Sequence, residues 1–274
     1  GDMDKAIELL REKGLAAVAK KSGRIAAEGI VHAEYDENKK VGAMVEVNSE
    51  TDFVAKNETF RDFVIAVTKT VINDNPADLD SLMNCKLAGS TDTVEEALRE
   101  KVLTIGENLK IRRFERYEGI MVSYIHGGGR IGVAVCFDTD DATAKKPEFQ
   151  AYGRDVAMQV AAMNPSYFDK SSVTEADLAK ERELFKSQVL NEGKPEAIAD
   201  KIVEGKMGKF FKENCLMQQS FVKDNDISIE KYTQNVAKEL DAKITVKSFT
   251  RFEKGEGLEK KQDNFADEVA SMIK

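Results

Sequence analysis

Apolar and polar residues alternate with a period of two in short stretches of the chain, as in half-buried strands, and the pattern occurs twice. Glu28-Gly29-Ile30-Val31 returns as Glu118-Gly119-Ile120-Met121, ninety positions later. At the same offset Val41-Gly42-Ala43-Met44-Val45-Glu46-Val47 matches Ile131-Gly132-Val133-Ala134-Val135-Cys136-Phe137. Asn75-Pro76 answers Asn164-Pro165 at nearly that spacing. Each copy reads as strand, turn, strand, helix, with turns at Asp36-Glu37-Asn38 and Gly127-Gly128-Gly129. The helices are expected over 60–72 and 149–163, each closed by its Asn-Pro pair. Three ordered matches mark an internal duplication, with copies at roughly 20–80 and 110–168.

Other segments attach to this core. Residues 4–13 place Ile7, Leu9 and Leu10 on one helical side, with Gly14 as the expected C-cap. A connecting helix is expected over 93–103. Thr174-Glu175-Ala176-Asp177 resembles a capping box, followed by a stripe of Leu178, Leu184, Phe185 and Val189. After the turn Asn191-Glu192-Gly193-Lys194-Pro195, the stripe continues through Ile198, Ile202, Val203, Met207 and Phe210. This predicts an antiparallel helical hairpin over 174–213, whose role in self-association, docking or mere projection its stripe leaves open. A late strand at 244–252 is expected to join the core sheet, and a short helix is expected at 264–274. The fold class is therefore α+β: duplicated strand-strand-helix units with antiparallel sheets, an N-terminal helix, a helical hairpin insertion and a C-terminal strand/helix module.

Composition narrows the chemistry. With 42% hydrophobic residues the 274-residue chain can bury a core of about two domains' worth, at ~150 residues each. A net charge of -8 disfavours a surface that wraps nucleic acid, which needs a basic excess. No apolar run approaches the ~18 residues of a membrane span, and no signal peptide opens the sequence. Cys85, Cys136 and Cys215 lie far apart, as in a reducing cytoplasm, and form neither a disulfide framework nor a metal knuckle.

Gly127-Gly128-Gly129-Arg130-Ile131-Gly132 satisfies GxGxxG formally, but a strand follows it where dinucleotide binding needs a helix. The glycines read better as a hairpin turn. No GxxxxGK[ST] loop occurs. His32 and His126 lack partners at zinc-ligand spacing, and His126, beside the glycine turn, is either a surface contact or structural. Acid/base chemistry by carboxylates such as Glu46 and Glu50 would stand without a cofactor loop, metal set or nucleophile.

The most informative stretch is Glu46-Val47-Asn48-Ser49-Glu50-Thr51-Asp52-Phe53-Val54-Ala55-Lys56. It runs from the end of a strand into a polar turn, where Thr51 or Asp52 could cap the next helix. Phe53 either tucks into the core at this junction or stays exposed as an interface anchor. These eleven positions are similar to the signature of the bacterial elongation factor Ts family, the nucleotide exchange factors of elongation factor Tu. The resemblance continues through Ile105-Gly106-Glu107-Asn108, Ile111-Arg112-Arg113, His126-Gly127-Gly128-Gly129-Arg130-Ile131-Gly132-Val133 and 251–260, across essentially the whole chain.

The resemblance implies a bacterial cytoplasmic exchange factor without a cofactor, metal or catalytic residue, acting by protein–protein contact on elongation factor Tu in its GDP-bound and nucleotide-free states. A non-catalytic scaffold or chaperone-like partner of the same GTPase is the alternative, and a homodimer or a 2:2 complex stays open. The segment that disturbs the GTPase's Mg²⁺ site would be Thr51, Asp52, Phe53 and Val54. Ile105, Gly106, His126 and Gly127 would be further contacts, His126 on the second core copy. Neither nucleic acid nor membrane is an expected partner.

The family layout implies an N-terminal ubiquitin-associated-like remnant at 1–14, whose first helices are missing from this sequence. It further implies a first core subdomain at 15–109, a second at 110–168 resuming at 216–254, the hairpin at 169–215, and a C-terminal module at 255–274.

Overall fold

The computed structural model describes residues 3–259, which divide into two compact units. The first gathers the described residues up to Tyr117, Ile125–Gly132 and those from Phe252 onward; the second gathers Glu118–Tyr124 and Val133–Arg251.

The first unit contains α1 (Met3–Lys21), β1 (Glu28–Asp36), β2 (Val41–Ser49), α2 (Asp52–Ala55), α3 (Glu58–Asp74), α4 (Leu79–Asn84), α5 (Val94–Ile105) and nearly all of β3 (Lys110–Glu118). β1 and β2 form an antiparallel hairpin in which Glu28 faces Ser49 and Asp36 faces Val41. The Asp36 carboxylate accepts the N–H groups of Asn38 and Lys39, both at 3.0 Å, and so closes the expected turn. β2 is the middle strand of the order β1-β2-β3, and its whole length is buried. Ala43, Val45 and Val47 share a core with Phe60, Phe63, Val64, Val67 and Val71 of α3.

α3 starts where the Asn57 side chain accepts the Phe60 N–H, and it stops at Asn75, a left-handed residue at φ +49° followed by Pro76. α5 opens on a reciprocal capping box between Thr93 and Glu96. The expectation that Gly14 ends the first helix is overturned, because α1 continues to Lys21. Gly14 is buried, and a Cβ there would lie 2.9 Å from Cγ of Arg99 on α5. Its missing side chain serves a close helix approach rather than a cap.

The second unit takes most of β4 (Ile120–His126), β5 (Ile131–Asp138) and β8 (Thr245–Glu253), together with α6 (Asp141–Ala144), α7 (Pro147–Met163), α8 (Glu175–Asn191), α9 (Glu196–Asn214), β6 (Ser220–Phe221), β7 (Asp224–Ser228) and α10 (Ile229–Glu239). The sheet order β4-β5-β8 puts the late strand beside the second copy's hairpin, as its alternation predicts. α7 matches α3 in length and ends on Asn164, also left-handed at φ +43°. Phe137 of β5 meets Phe149 and Tyr152 of α7 in T-shaped, edge-to-face contacts, and the Tyr152 and Thr233 hydroxyls are hydrogen-bonded at 2.7 Å.

Val189 of α8 and Ala199, Val203, Met207 and Phe210 of α9 make the seam of the predicted helical hairpin. Thr174 caps α8 by accepting the Asp177 N–H. Together these elements make the α+β fold of small sheets and helices read from the pattern. The helix expected at 264–274 lies outside the described residues, as does most of the segment 255–274.

Candidate functional site

Beyond Ser49 the chain leaves the buried strand β2 and turns over the eight residues 50–57 before α3 begins. The four-residue α2 occupies this turn, and a helix that short has no stability of its own. Its orientation comes from tertiary contacts. Val54 and Ala55, each only 8% exposed, are seated in the core, whereas the Phe53 ring between Asp52 and Val54 is 76% exposed. The two open readings of Phe53 are thereby decided in favour of an outward aromatic.

The turn is held from outside by Glu107. One oxygen of its carboxylate accepts the N–H groups of Glu50 and Thr51, both at 3.0 Å, and the other accepts the Thr51 hydroxyl at 2.6 Å. The clamp is reciprocal, because the Glu50 carboxylate accepts the Asn108 N–H at 2.6 Å. Thr51 stands at the N-cap of α2 yet makes no cap hydrogen bond with its side chain. Its hydroxyl is spent on the clamp instead.

Immediately before Glu107, α5 ends on half-buried Ile105 and on exposed Gly106, left-handed at φ +85°. Phe53, Val54, Asn57, Thr59, Thr104 and Ile105 line one open groove of about 350 Å³.

Asp52 and Lys56 pair across one helical turn at 3.0 Å, and the Lys56 ammonium also lies 5.8 Å from the Phe53 ring centre. The hydrogen bond and charge of Lys56 hold the Asp52 carboxyl below its usual range. Both side chains are exposed, so the pair sets local charge and adds little to stability.

His126 and Gly127 belong by sequence to the second copy, but the structure groups their turn with the first unit. Gly129 explains this. Its carbonyl accepts the Val31 N–H at 2.8 Å, and a Cβ on it would lie 2.8 Å from Ile30 Cβ. Arg61 of α3 then donates to the Ala55 carbonyl at 2.9 Å and to the Gly128 carbonyl at 3.0 Å. One guanidinium therefore ties the C-terminal end of α2 to the glycine turn. His126 and Gly127 are exposed on that turn.

Beneath the site, Glu46 is completely buried in β2. Its carboxylate accepts from Arg113 at 2.6 Å, Arg112 at 3.0 Å, Asn48 at 3.0 Å and the Gly255 N–H at 2.8 Å. Burial pushes the Glu46 carboxyl up, but the Gly255 amide, Asn48 and the two arginines outweigh it and leave it below its ordinary range. Lys254 pairs with Glu28 in the same segment. Glu46 and Glu50, the carboxylates weighed for acid/base work, are thus both engaged by donors that hold the framework. Among the described residues no group of His, Cys, Asp and Glu could hold a metal, and no helix is long and apolar enough to cross a membrane.

The partner-contact residues that the resemblance implies thus all fall in one unit: Phe53, Val54 and Ile105 line the groove, Thr51, Asp52 and Gly106 adjoin them in the chain, and the turn of His126–Gly127 is tied in through Arg61. Val54 faces inward as an anchor. The supporting residues Glu107, Arg61 and Glu46 were not assigned these roles from sequence. Only the position of Glu107 within the Ile105–Asn108 stretch hinted at one.

The elongation factor Ts family model matches residues 50–256. An elongation factor Ts of Clostridium perfringens strain SM101 is 50% identical over 275 residues, spanning 99% of this chain and 89% of its own length. Those of Clostridium kluyveri and Clostridium tetani are 50% and 49% identical, each over all of this chain and 90% of their own. With its signature turn built around an exposed Phe53, the chain belongs to the elongation factor Ts family.

Proposed function

We propose that this chain is the guanine-nucleotide exchange factor of elongation factor Tu in translation elongation, acting through protein contact without chemistry of its own. The observation that carries the proposal is the exposed Phe53 ring on a turn whose backbone is fixed by Glu107 and whose next residue is sunk in the core. A rigidly held aromatic loses little conformational entropy when it enters a partner, so its burial goes into distorting the partner. Phe53 presses into the GTPase beside the Mg²⁺ and diphosphate site, Asp52 brings a negative charge there, and Ile105, Gly106, His126 and Gly127 widen the contact.

Phe53 does not act alone. Shifting a two-state equilibrium from 1:99 to 99:1 takes about 5.5 kcal/mol of differential binding. Burying one Phe side chain supplies about 1.5–3 kcal/mol. The wider surface supplies the rest by fitting the distorted GTPase better than the nucleotide-loaded one. Coupling is reciprocal, so GDP weakens the complex by the factor by which the complex weakens GDP.

The test is the release of a fluorescent GDP analogue from purified elongation factor Tu. Acceleration that grows with the concentration of this protein supports exchange. Tight binding with an unchanged release rate would instead identify a non-catalytic scaffold.

A further inference from the structure

We propose that Glu107 is a positioning residue for nucleotide release: it sets the pose of Phe53 through the backbone of Glu50 and Thr51, without touching the GTPase's nucleotide site itself. The proposal rests on the exchange reading above and deepens it.

The argument starts from what α2 lacks. A single helical turn does not hold an aromatic ring in one direction, and Thr51, the residue placed to cap it, makes no side-chain cap bond. Its hydroxyl and amide instead face one carboxylate 56 positions further along the chain. Glu107 takes three donors from two consecutive residues, and the Glu50 carboxylate returns one bond to the amide of Asn108. Two backbone segments thus carry each other's side chains, a box closed between distant stretches rather than within one helix.

Arg24 adds to it from a third segment, donating to the Glu50 carboxylate at 3.4 Å while its carbonyl accepts the Asn108 side-chain amide at 2.8 Å. The box fixes where the chain enters α2, two residues before Phe53. It also fixes where the chain leaves α5, immediately after Ile105 and Gly106. The groove wall formed by Phe53 and the wall formed by Ile105 are therefore set relative to each other by one carboxylate. Val54, sunk in the core, keeps the ring's position in the fold; Glu107 adds its direction.

Removing the carboxylate leaves two amides and a hydroxyl without their acceptor in a half-buried setting and lets the turn take several poses. The productive pose is then one among several, and the release rate falls by about tenfold to a hundredfold, the scale of a hydrogen bond to a charged group.

The test is a double-mutant cycle of Glu107→Ala and Phe53→Ala, with fluorescent-GDP release from elongation factor Tu at saturating factor as the readout. Glu107→Ala should lower the maximal release rate more than it raises the factor's apparent Kd. In the Phe53→Ala background the same substitution should change release less than twofold, because there is no ring left to aim. Glu107→Gln, which keeps one acceptor oxygen, should fall between wild type and Glu107→Ala, and it stands in should the alanine variant fail to fold.

Amide hydrogen exchange of the free proteins should lose protection at Glu50 and Thr51 and keep it along β1 and β2. Equal losses from Glu107→Ala with and without Phe53, or a wild-type release rate in Glu107→Ala alongside a slow Phe53→Ala, would overturn the positioning role. A Phe53→Ala protein that releases GDP as fast as wild type would overturn the lever that Glu107 is said to aim, whereas wild-type protein that binds and leaves release at its spontaneous rate would overturn the exchange reading itself.

Discussion

Phe53 and Val54 are neighbours in the chain and opposites in environment: the ring is 76% exposed, while the valine is 8% exposed and packed in the core under α3. The peptide unit between them divides the part that meets a partner from the part that holds the turn in place. Substitutions on its two sides should separate function from stability.

Phe53→Ala should leave the melting temperature within about 1–2 °C, because an exposed ring contributes little to the fold. It should slow nucleotide release by about tenfold or more, the scale of one buried Phe. Val54→Ala should do the reverse in stability, costing about 1–3 kcal/mol as a buried side chain is truncated. Thermal melting and GDP release measured on the same preparations check both.

Arg61 joins the end of α2 to the glycine turn through one guanidinium. Arg61→Met keeps much of its apolar stem and removes both hydrogen bonds. A loss of about 1–3 kcal/mol in denaturant stability should follow, together with faster amide exchange across 126–130. Unchanged exchange in that turn would show that the Gly129–Val31 bond suffices to dock it.

Gly129 combines a positive φ of +107° with the close approach to Ile30, so Gly129→Ala meets backbone strain and a clash together. At Gly128, φ is +67° but the nearest atom to an added Cβ is the Arg61 guanidinium at 3.8 Å. Gly129→Ala should therefore lower stability by about 2 kcal/mol or more, and Gly128→Ala by about half that. Equilibrium unfolding of the pair checks the ranking.

Glu46 gives the pH dependence. Its folded carboxyl titrates below the ordinary 4.5, so the folded state binds its proton less readily than the unfolded chain does. The stability it contributes is complete above the unfolded value and is lost as pH falls through the lower folded value. Glu46→Gln should lower stability at neutral pH by about 1–3 kcal/mol, because partly exposed Arg112 loses its carboxylate partner while Arg113 keeps only Glu256. It should also flatten the acid limb of a stability curve measured below pH 4.5. An unchanged acid limb would mean that other carboxylates set it.

Much of this architecture was legible because its causes are local. The period-two runs, the turn at Asp36, and the left-handed Asn75 and Asn164 before proline each carry their own stereochemical reason. Thr93 and Glu96 carried one too, as a capping box that the reading passed over. What stayed hidden depends on partners distant in sequence. Gly14 looks like a helix end until Arg99 is seen against it.

β3 carries Arg112 and Arg113, and its place in the sheet follows from the buried Glu46 that they meet. The exposure of Phe53 was undecided by periodicity because Val54 beside it is equally apolar. Only the three-dimensional seat of Val54 shows which of the two faces out. Glu107 and Arg61 are ordinary charged residues in the sequence, and their roles exist only once 50 meets 107 and 61 meets 128.

The most direct measurement is stopped-flow release of a fluorescent GDP analogue from elongation factor Tu, with wild-type protein and Phe53→Ala each at saturating concentration. Wild type should accelerate release well beyond the spontaneous rate, and Phe53→Ala should bind the GTPase yet release GDP at least about tenfold more slowly than wild type does. Equal release rates from two folded, binding-competent proteins would contradict the account.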